Sequence, residues 1–326
     1  MQRWGKSGMA SMVGVASLVC AAAISQPGLA GASAGAGLHR QAPAAAIYQI
    51  CRSWKHHGAI AAKISAGIRD VVSQRESIVA VRVDDPFLGI GCWYRGHRHF
   101  FSASVVKATI LAALLRKAHA QHRSLTQHEQ DLAWLMITQS DNDAATALWN
   151  DVGMHALQRF LDLAGMKQTV LGQNGFWGLT KITAHDEMIL LQHLLRPNTV
   201  LTKNARHYEL YLMDHVIASQ RWGVPAGAPS NFRVHVKNGW APLPFTTSPW
   251  FINSIGCFTH LDQNYSIVVL TANNPDMQYG VTTVENVAEI INHDLHPGAT
   301  SVIPRSRPFP TWGIPDEPVR PPTVAR

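Results

Sequence analysis

Ser104-Val105-Val106-Lys107 is the stretch of this chain from which both the fold and the chemistry can be worked out. The apolar residues around it recur with the spacing of one helix face, which predicts that an extended segment gives way to a helix here. They are Val106, Ile110, Leu111, Leu114, Leu115 and Ala118. Because residues three positions apart share a helix face, the Lys107 amine can reach the Ser104 hydroxyl. It can accept the hydroxyl proton if its surroundings lower its pKa.

A serine at the start of a helix also lies among backbone N–H groups that have no partner within the helix, at the positive end of the helix dipole. Such groups can stabilise an oxyanion that develops during a reaction. The S-x-x-K pattern alone is weak, however, since ordinary composition produces roughly one match in a chain of this length. It needs support from the rest of the sequence.

Two further motifs follow in order. Ser140-Asp141-Asn142 comes just after a helical run, so it is predicted to lie at a helix-to-loop junction. Lys237-Asn238-Gly239 ends the run 232–236, which alternates as a strand does. Each motif alone also fits a plain structural interpretation, namely a cap, a turn or a solvated lysine. Their order and their placement on the expected elements favour a catalytic interpretation.

The three motifs together resemble the signature of class A β-lactamases and penicillin-binding proteins, with Asn238 in place of the usual hydroxyl residue of the third motif. The resemblance runs from about Lys55 to about His293. It implies that Ser104 is the nucleophile and that Lys107 is its base. It also implies that Ser140 relays a proton to the leaving group.

The resemblance assigns the remaining site residues as well. Lys237 would hold the substrate carboxylate and steer protons through Ser140, and Asn142 would anchor Lys107 and the substrate amide. Gly239 would let the substrate approach the strand edge. Backbone N–H groups of Ser104 and Trp240 would form the oxyanion hole.

Two departures bear on turnover and substrate. Class A β-lactamases carry a glutamate on a loop, which positions the water that releases the acyl group, but this chain has no carboxylate between Asp162 and Asp186. Asp186 itself is predicted to cap a helix together with Thr183. We therefore expect acylation to work and hydrolysis to be slow or differently catalysed. The Asn238 amide can donate a hydrogen bond, but it is longer than a hydroxyl and carries its own acceptor, which leaves the substrate class open.

Tryptophans near the motifs have two interpretations. Trp177, Trp222 and Trp240 could wall an apolar or aromatic acyl pocket, or they could pack in the core. The sequence does not decide between them.

The N-terminus predicts export. Arg3 and Lys6 precede an apolar stretch and then small residues, which is the pattern of a secretory signal peptide in residues 1–32, followed by a linker at 33–54. Without those two basic residues the formal net charge falls from +7 to +5. The basic residues are scattered and are not interleaved with stacking aromatics, which argues against nucleic acid and suits an exported protein that works near an anionic cell wall or membrane surface.

Cysteines and histidines add little chemistry. After export the chain keeps three cysteines, Cys51, Cys92 and Cys257, so one internal disulfide can form in any of three pairings. Histidine pairs lack a third ligand at a matching spacing, and no glycine-rich phosphate loop precedes a helix. No metal and no cofactor are expected.

The order of the patterns predicts an α/β (α+β) fold. An antiparallel five-stranded sheet is flanked by the terminal helices, and an all-helical lobe is inserted between its strands. This domain is assigned to residues 55–298, with the site between the two lobes. A proline-rich, disordered tail is assigned to residues 299–326.

The sequence thus predicts an exported, extracytoplasmic serine hydrolase that forms an acyl-enzyme at Ser104 and acts on β-lactams or on related D-alanyl amides or esters. Two alternatives stay open: a peptidoglycan D,D-peptidase, and a non-turnover protein that binds cell-wall fragments or β-lactams. The expected partner is a small-molecule or peptidoglycan-derived substrate. We expect a monomer that could associate with the cell wall and that binds no nucleic acid.

Overall fold

The structure is a computed structural model that describes residues 49–242 and 249–307. The strands in chain order are β1 Cys51–Ser53, β2 Ile78–Asp85, β3 Ile90–Tyr94, β4 His99–Phe101, β5 Lys181–Thr183, β6 Arg233–Pro242, β7 Trp250–Thr259 and β8 Tyr265–Asn274. The helices are α1 Gly58–Ser73, α2 Val106–Ala120, α3 Gln127–Thr138, α4 Asn142–Val152, α5 Met154–Ala164, α6 Ala184–Leu195, α7 Lys203–Asp214 and α8 Met277–Leu295.

The main sheet is antiparallel and has the strand order β1-β3-β2-β8-β7-β6. This confirms the predicted fold class, an antiparallel sheet with terminal helices and an inserted helical lobe. The sheet has six strands rather than five, because β1 pairs with β3 at one edge. Strands β4 and β5 form a separate two-stranded sheet beside the helical lobe.

Both faces of the sheet are buried, which explains the nearly continuous apolar runs of its central strands. Val79 and Val81 of β2 pack into the hydrophobic cluster beneath α1 and α8, whereas Ala80 between them faces the helical lobe. Strand β8 alternates in the same way, with Val269 on the α1/α8 side and Leu270 on the lobe side. The sheet therefore joins two cores.

Helix α2 is the centre of the helical lobe. Of its 15 residues, 11 are buried, and it packs against α3, α4, α5 and α7. A helix enclosed on most sides cannot rotate or slide without disturbing several neighbours. The N-terminal end of α2, which follows Ser104, is consequently fixed in space.

The predicted domain limits need correction at both ends. Residues 51–53, assigned to the linker 33–54, form β1. They pair with β3 through backbone hydrogen bonds, which the sequence does not reveal because three residues are too few to show an apolar period. Residues 299–307, assigned to the tail, still contact the domain: Ile303 N–H donates to Ala228 O and Arg305 pairs with Glu289. The predicted signal peptide 1–32 and residues 308–326 of the tail lie outside the described residues. Within the described ranges, the helices are too short or too polar to cross a bilayer.

Among the three pairings open to the cysteines, the structure shows one. Cys51 of β1 is bonded to Cys92 of β3, 41 positions further along the sequence, and Cys257 is a buried free thiol. The bridge ties the edge strand β1 to its neighbour at a register position where the two residues face each other. The disulfide thereby holds in the sheet a strand of three residues, which forms few backbone hydrogen bonds of its own.

We predict that reduction of this bridge destabilises the domain. A cross-link that closes a loop of this length restricts the unfolded chain, so dithiothreitol is expected to lower the free energy of unfolding by about 2–4 kcal/mol. Urea unfolding with and without the reductant measures the effect. Cys257→Ala should keep the response, whereas the double variant Cys51→Ala/Cys92→Ala should lose it. If dithiothreitol left the free energy of unfolding of the wild type unchanged, the Cys51–Cys92 pairing would be contradicted.

Candidate active site

Ser104 lies in a single 3₁₀ turn, Ala103–Val105, that leads directly into α2. The turn begins with strained backbone, because Ala103 has φ +45°, a region that residues with a Cβ rarely adopt. Such strain persists only where the surroundings hold it, and it is concentrated at functional sites. Here Ser102 N–H donates to Thr180 O, and the Asn253 amide donates to Phe101 O at 2.9 Å.

Asn253 is a supporting residue that the sequence analysis missed. It is fully buried in the middle of β7, and its amide also reaches Ser102 O at 3.3 Å. Through these bonds β7 holds the chain just before the nucleophile turn. The available signal was a pair of polar residues, Asn253 and Ser254, inside the otherwise apolar run 251–255, where buried polar groups usually need specific partners.

Ser140-Asp141-Asn142 connects α3 to α4. Asp141 caps α4, since its Oδ1 accepts from Ala144 N–H at 2.7 Å. Ser140 just before it has φ +58°, a left-handed conformation that directs this turn toward the start of α2. The motif thus presents a hydroxyl, a carbonyl and an amide oxygen to Lys107.

Lys107 is completely buried and is surrounded by these groups. Its Nζ donates to Asn142 Oδ1 at 2.8 Å, to Ser140 Oγ at 3.2 Å and to Ser140 O. The ring of Trp177 covers it, with its centroid 4.8 Å from Nζ. The amine is therefore held between a polar turn and an aromatic face, out of contact with solvent.

Lys237 approaches Ser140 from the sheet side. Its Nζ donates to Ser140 Oγ at 2.9 Å and to Asn238 O at 3.1 Å. Burial, together with the nearby Lys107 ammonium, lowers the pKa of Lys237 well below its ordinary value of 10.5. The Ser140 hydroxyl thus joins two lysine amines, and a proton can pass from one amine to the other through it.

Gly239 brings β6 against the nucleophile turn. A Cβ at this position would lie 2.5 Å from Ser102 O, 2.9 Å from Ser104 N and 2.8 Å from Val105 N. All three atoms belong to backbone that cannot easily give way. Glycine is required here because the strand itself approaches the nucleophile, a more specific reason than the substrate access expected from the sequence.

Asn238 does not occupy the position that the resemblance implies for a substrate-binding residue. Its side chain is 1% exposed, and its Nδ2 donates to Gln220 O at 2.9 Å and to Trp222 O at 2.8 Å. The amide nitrogen carries two hydrogens, and these two bonds use both of them. Asn238 holds the 220–222 loop to β6 and has no donor left for a substrate.

A cleft of about 610 Å³ opens beside Ser104. Its walls are Gly175–Leu179 on one side and Trp240–Pro242 on the other, with Ala103, Ser104 and Asn142 completing the lining. Trp177 and Trp240 are thus wall residues, whereas Trp222 is buried in the core with its ring packed edge-on against Trp240. Phe176 and Leu179 also line the cleft and were missed, since loop residues carry no periodic signal.

The loop before α6 supplies no acid to this cleft. Asp186 Oδ2 accepts from Gln168 N–H, Thr169 N–H and the Thr169 hydroxyl, so this carboxylate anchors the start of the loop. Thr183 caps α6 by accepting from Asp186 N–H at 3.1 Å. Among the described residues, no group of three histidine, cysteine or acidic side chains is placed to hold a metal.

Comparisons with known proteins bear on the family and on the fold of this chain. A family model described as the beta-lactamase enzyme family matches residues 128–295, just over half of the chain; the match includes Ser140 and Lys237 and begins after Ser104. A search of curated proteins finds no match.

Three solved structures illustrate the similarity in fold. A beta-lactamase from Sphaerobacter thermophilus DSM 20745 is 20% identical with a TM-score of 0.60, over 71% of this chain and 96% of that one. A representative class A beta-lactamase from Bacteroides cellulosilyticus DSM 14838 is 17% identical with a TM-score of 0.62, over 72% and 98%. A variant of PBP-A in an acyl-enzyme complex with penicillin G is 16% identical with a TM-score of 0.63, over 72% and 96%. At such identities the likeness shows the fold alone.

We predict that Gly239→Ala separates β6 from the nucleophile turn. The added methyl group would collide with backbone atoms, so the free energy of unfolding should fall by about 1–3 kcal/mol. Serine reactivity should fall by about 100-fold, because a displacement near 1 Å is enough to misalign reacting groups. Urea unfolding and labelling of Ser104 by a fluorophosphonate measure the two effects. Gly298→Ala, where a Cβ meets no atom within 4 Å, is the matched control and should change neither.

We further predict that Lys237 destabilises the fold at neutral pH. Because its pKa is depressed in the native state, the unfolded chain binds more protons between that pKa and 10.5, so the free energy of unfolding rises with pH in this window. Lys237→Met removes this contribution. The difference in unfolding free energy, variant minus wild type, should therefore be larger at pH 7 than at pH 10. Exposed Lys203→Met is the control, and a pH-independent difference for Lys237→Met would contradict the prediction.

Proposed function

Because this chain belongs to the beta-lactamase enzyme family, we propose that it is an exported serine hydrolase that forms an acyl-enzyme at Ser104 and releases the acyl group slowly. The observation that carries the proposal is the Ser140 hydroxyl, which lies within hydrogen-bonding distance of two buried lysine amines beside the nucleophile turn. A hydroxyl nucleophile needs a nearby base, and a leaving group needs a proton.

Acylation can be assigned step by step. Lys107 follows Ser104 by one helical turn and takes the hydroxyl proton as Ser104 Oγ bonds to the acyl carbon. The backbone N–H groups of Ser104 and Trp240, on two elements that Gly239 allows to meet, stabilise the oxyanion. The proton then passes from Lys107 through Ser140 Oγ to the leaving group, and the amine of Lys237 keeps the Ser140 hydroxyl oriented.

The second half of the reaction lacks a dedicated base. Residues 163–185 contain no carboxylate, and the loop places the ring of Trp177 over Lys107. A positioned general base contributes about 10²–10⁴-fold to a proton-transfer step. Deacylation by water should be slower than acylation by a factor of this order.

The substrate classes predicted from the sequence are β-lactams and D-alanyl amides or esters. Slow release favours a penicillin-binding protein or a D,D-peptidase over an efficient β-lactamase, because a peptidase can pass its acyl group to an acceptor other than water. If the acyl group were not released at all, the protein would be a non-turnover binding protein. PBP-A, whose fold is similar, is the protein whose variant was solved as an acyl-enzyme with penicillin G.

Export is supported by two independent features. The N-terminal sequence has the basic and then apolar pattern of a secretory leader. The domain contains a Cys51–Cys92 disulfide, a bond that persists in oxidising compartments outside the cytoplasm. The scattered positive charge would suit work near an anionic cell wall.

The test is incubation with a fluorescent penicillin followed by intact-mass measurement over time. We expect a single adduct whose mass matches the acylated protein and whose decay is about 10²–10⁴-fold slower than its formation at saturating penicillin. Ser104→Ala should abolish the adduct, while Ser73→Ala, at an exposed serine that ends α1 and lies outside the cleft lining, should keep it. Prompt release would instead indicate a β-lactamase.

Labelling that survives in Ser104→Ala would show that the nucleophile is misassigned. No adduct with penicillin, combined with labelling of Ser104 by a fluorophosphonate, would place the activity on another class of acyl donor. No labelling by either reagent would contradict the hydrolase proposal as a whole.

A further inference from the structure

We infer that the cleft selects its substrate by an apolar acyl group and does not bind a carboxylate on the leaving group, so that neutral esters or amides acylate Ser104 faster than carboxylate-bearing ones. This inference rests on the proposed acylation of Ser104. It goes beyond that proposal because β-lactams and D-alanyl peptides both carry a carboxylate next to the bond that breaks. They would be poorer donors than an ester of a neutral alcohol.

The first support is the direction of the Asn238 side chain. In relatives, the residue at this place is expected to donate a hydroxyl to the carboxylate, but the Asn238 amide donates both hydrogens to Gln220 O and Trp222 O. Exchanging the amide nitrogen and oxygen would set oxygen against two carbonyls, so the hydrogen bonds fix the assignment. The remaining Oδ1 is a buried acceptor with no hydrogen-bond partner among the described residues, and it cannot donate to an anion.

The second support is that the described residues lining the cleft present no accessible cation. Lys237 is completely buried, and its amine already donates to Ser140 Oγ and Asn238 O. Arg221, in the loop that Asn238 holds, donates to Asp214 O and Val234 O instead of facing the cleft. No lysine, arginine or histidine is among the described residues that line the cleft. A carboxylate placed there would lose its water without gaining an ion pair.

The third support is the apolar wall. Phe176, Trp177 and Leu179 come from the loop before β5, and Trp240 and Pro242 come from β6. Phe176 is 59% exposed, although it is a large apolar side chain at the rim of the cleft. The space of about 610 Å³ is large enough for an aryl or branched acyl group, which would cover this surface.

The acylation step is balanced without any further reactant. Ser104 Oγ bonds to the acyl carbon, and the bond between that carbon and the alcohol oxygen breaks. The serine proton leaves on the alcohol by way of Lys107 and Ser140. A neutral alcohol crosses the apolar mouth of the cleft without desolvating a charge.

The test uses two phenylacetyl esters that differ only in the leaving group. One is the ester of 3-hydroxybenzoate, which carries a carboxylate, and the other is the ester of 3-hydroxybenzamide, which is neutral and nearly the same shape. Rates of Ser104 labelling are measured by intact mass and divided by the rates of uncatalysed hydrolysis. We expect the neutral ester to be faster by about tenfold or more, since an unpaired buried charge costs at least one strong hydrogen bond.

The outcomes separate the two proposals. Equal or faster labelling by the carboxylate ester, lost in Ser104→Ala, would overturn this inference and leave the hydrolase proposal standing. Labelling by neither ester would overturn this inference, while the hydrolase proposal would still be decided by penicillin and fluorophosphonate labelling of Ser104. Asn238→Thr, if it folds, should shift the rate ratio toward the carboxylate ester. If the variant does not fold, the comparison of the two esters on the wild-type protein still decides whether the cleft rejects a carboxylate.

The acyl preference has its own control. Phe176→Ala should lower labelling by the neutral phenylacetyl ester relative to the matching acetyl ester by about three- to tenfold, because only the larger group contacts the rim. Leu261→Ala removes a side chain that is 86% exposed and lies outside the cleft lining, so it should leave this ratio unchanged. An unchanged ratio in Phe176→Ala would overturn the assignment of the acyl group to this wall.

Discussion

The hydroxyl of Ser140 joins the two lobes, because it lies between Lys107 Nζ at 3.2 Å and Lys237 Nζ at 2.9 Å. Lys107 comes from the central helix of the helical lobe and Lys237 from the edge strand of the sheet. Two ammonium groups this close, both shielded from solvent, repel each other, so one amine is favoured in its neutral form. Burial and the nearby Lys107 charge lower the pKa of Lys237, so Lys237 is the neutral amine, and Lys107 can act as the proposed base once its proton has passed through Ser140 Oγ to Lys237. The cost to stability and the gain in chemistry therefore have the same origin.

The rest of the fold maintains this arrangement. Helix α2 is enclosed by four other helices, so its first turn is fixed from the lobe side. From the sheet side, Asn253 holds the residues before the turn, and Gly239 lets β6 contact Ser102–Val105 without a side chain between them. At the far edge, β1 is held by the Cys51–Cys92 bond. Rigid packing on both sides is what positions reacting groups to within a fraction of an ångström.

The sequence predicted those parts of the molecule that have a strong local signal. The apolar runs of β2 and β8 and the helical repeat of α2 are long enough to define a sheet with an inserted helical lobe. Strand β1 was missed because three residues show no period, and residues 302–305 were placed in the tail because composition does not reveal backbone pairing with Ala228. The motifs identified which residue types meet at the site. They could not show where the Asn238 amide points, since that depends on carbonyls of a loop some 16–18 positions away.

The loop before α6 links the two unusual properties of the site. It is anchored at its start by Asp186, closed by the bridge between Val170 and Lys181, and tied to α4 by the Trp177 Nε1 hydrogen bond to Thr146. A Cβ at Gly172 would lie 2.1 Å from Phe176 O, so the loop folds tightly on itself and presents the aromatic side chains of Phe176 and Trp177 to the cleft. One segment therefore builds an apolar wall beside Ser104 and contributes no carboxylate to the cleft. The proposed selection of the acyl group and the proposed slow release of it would therefore share one structural cause, the packing of this loop against the cleft.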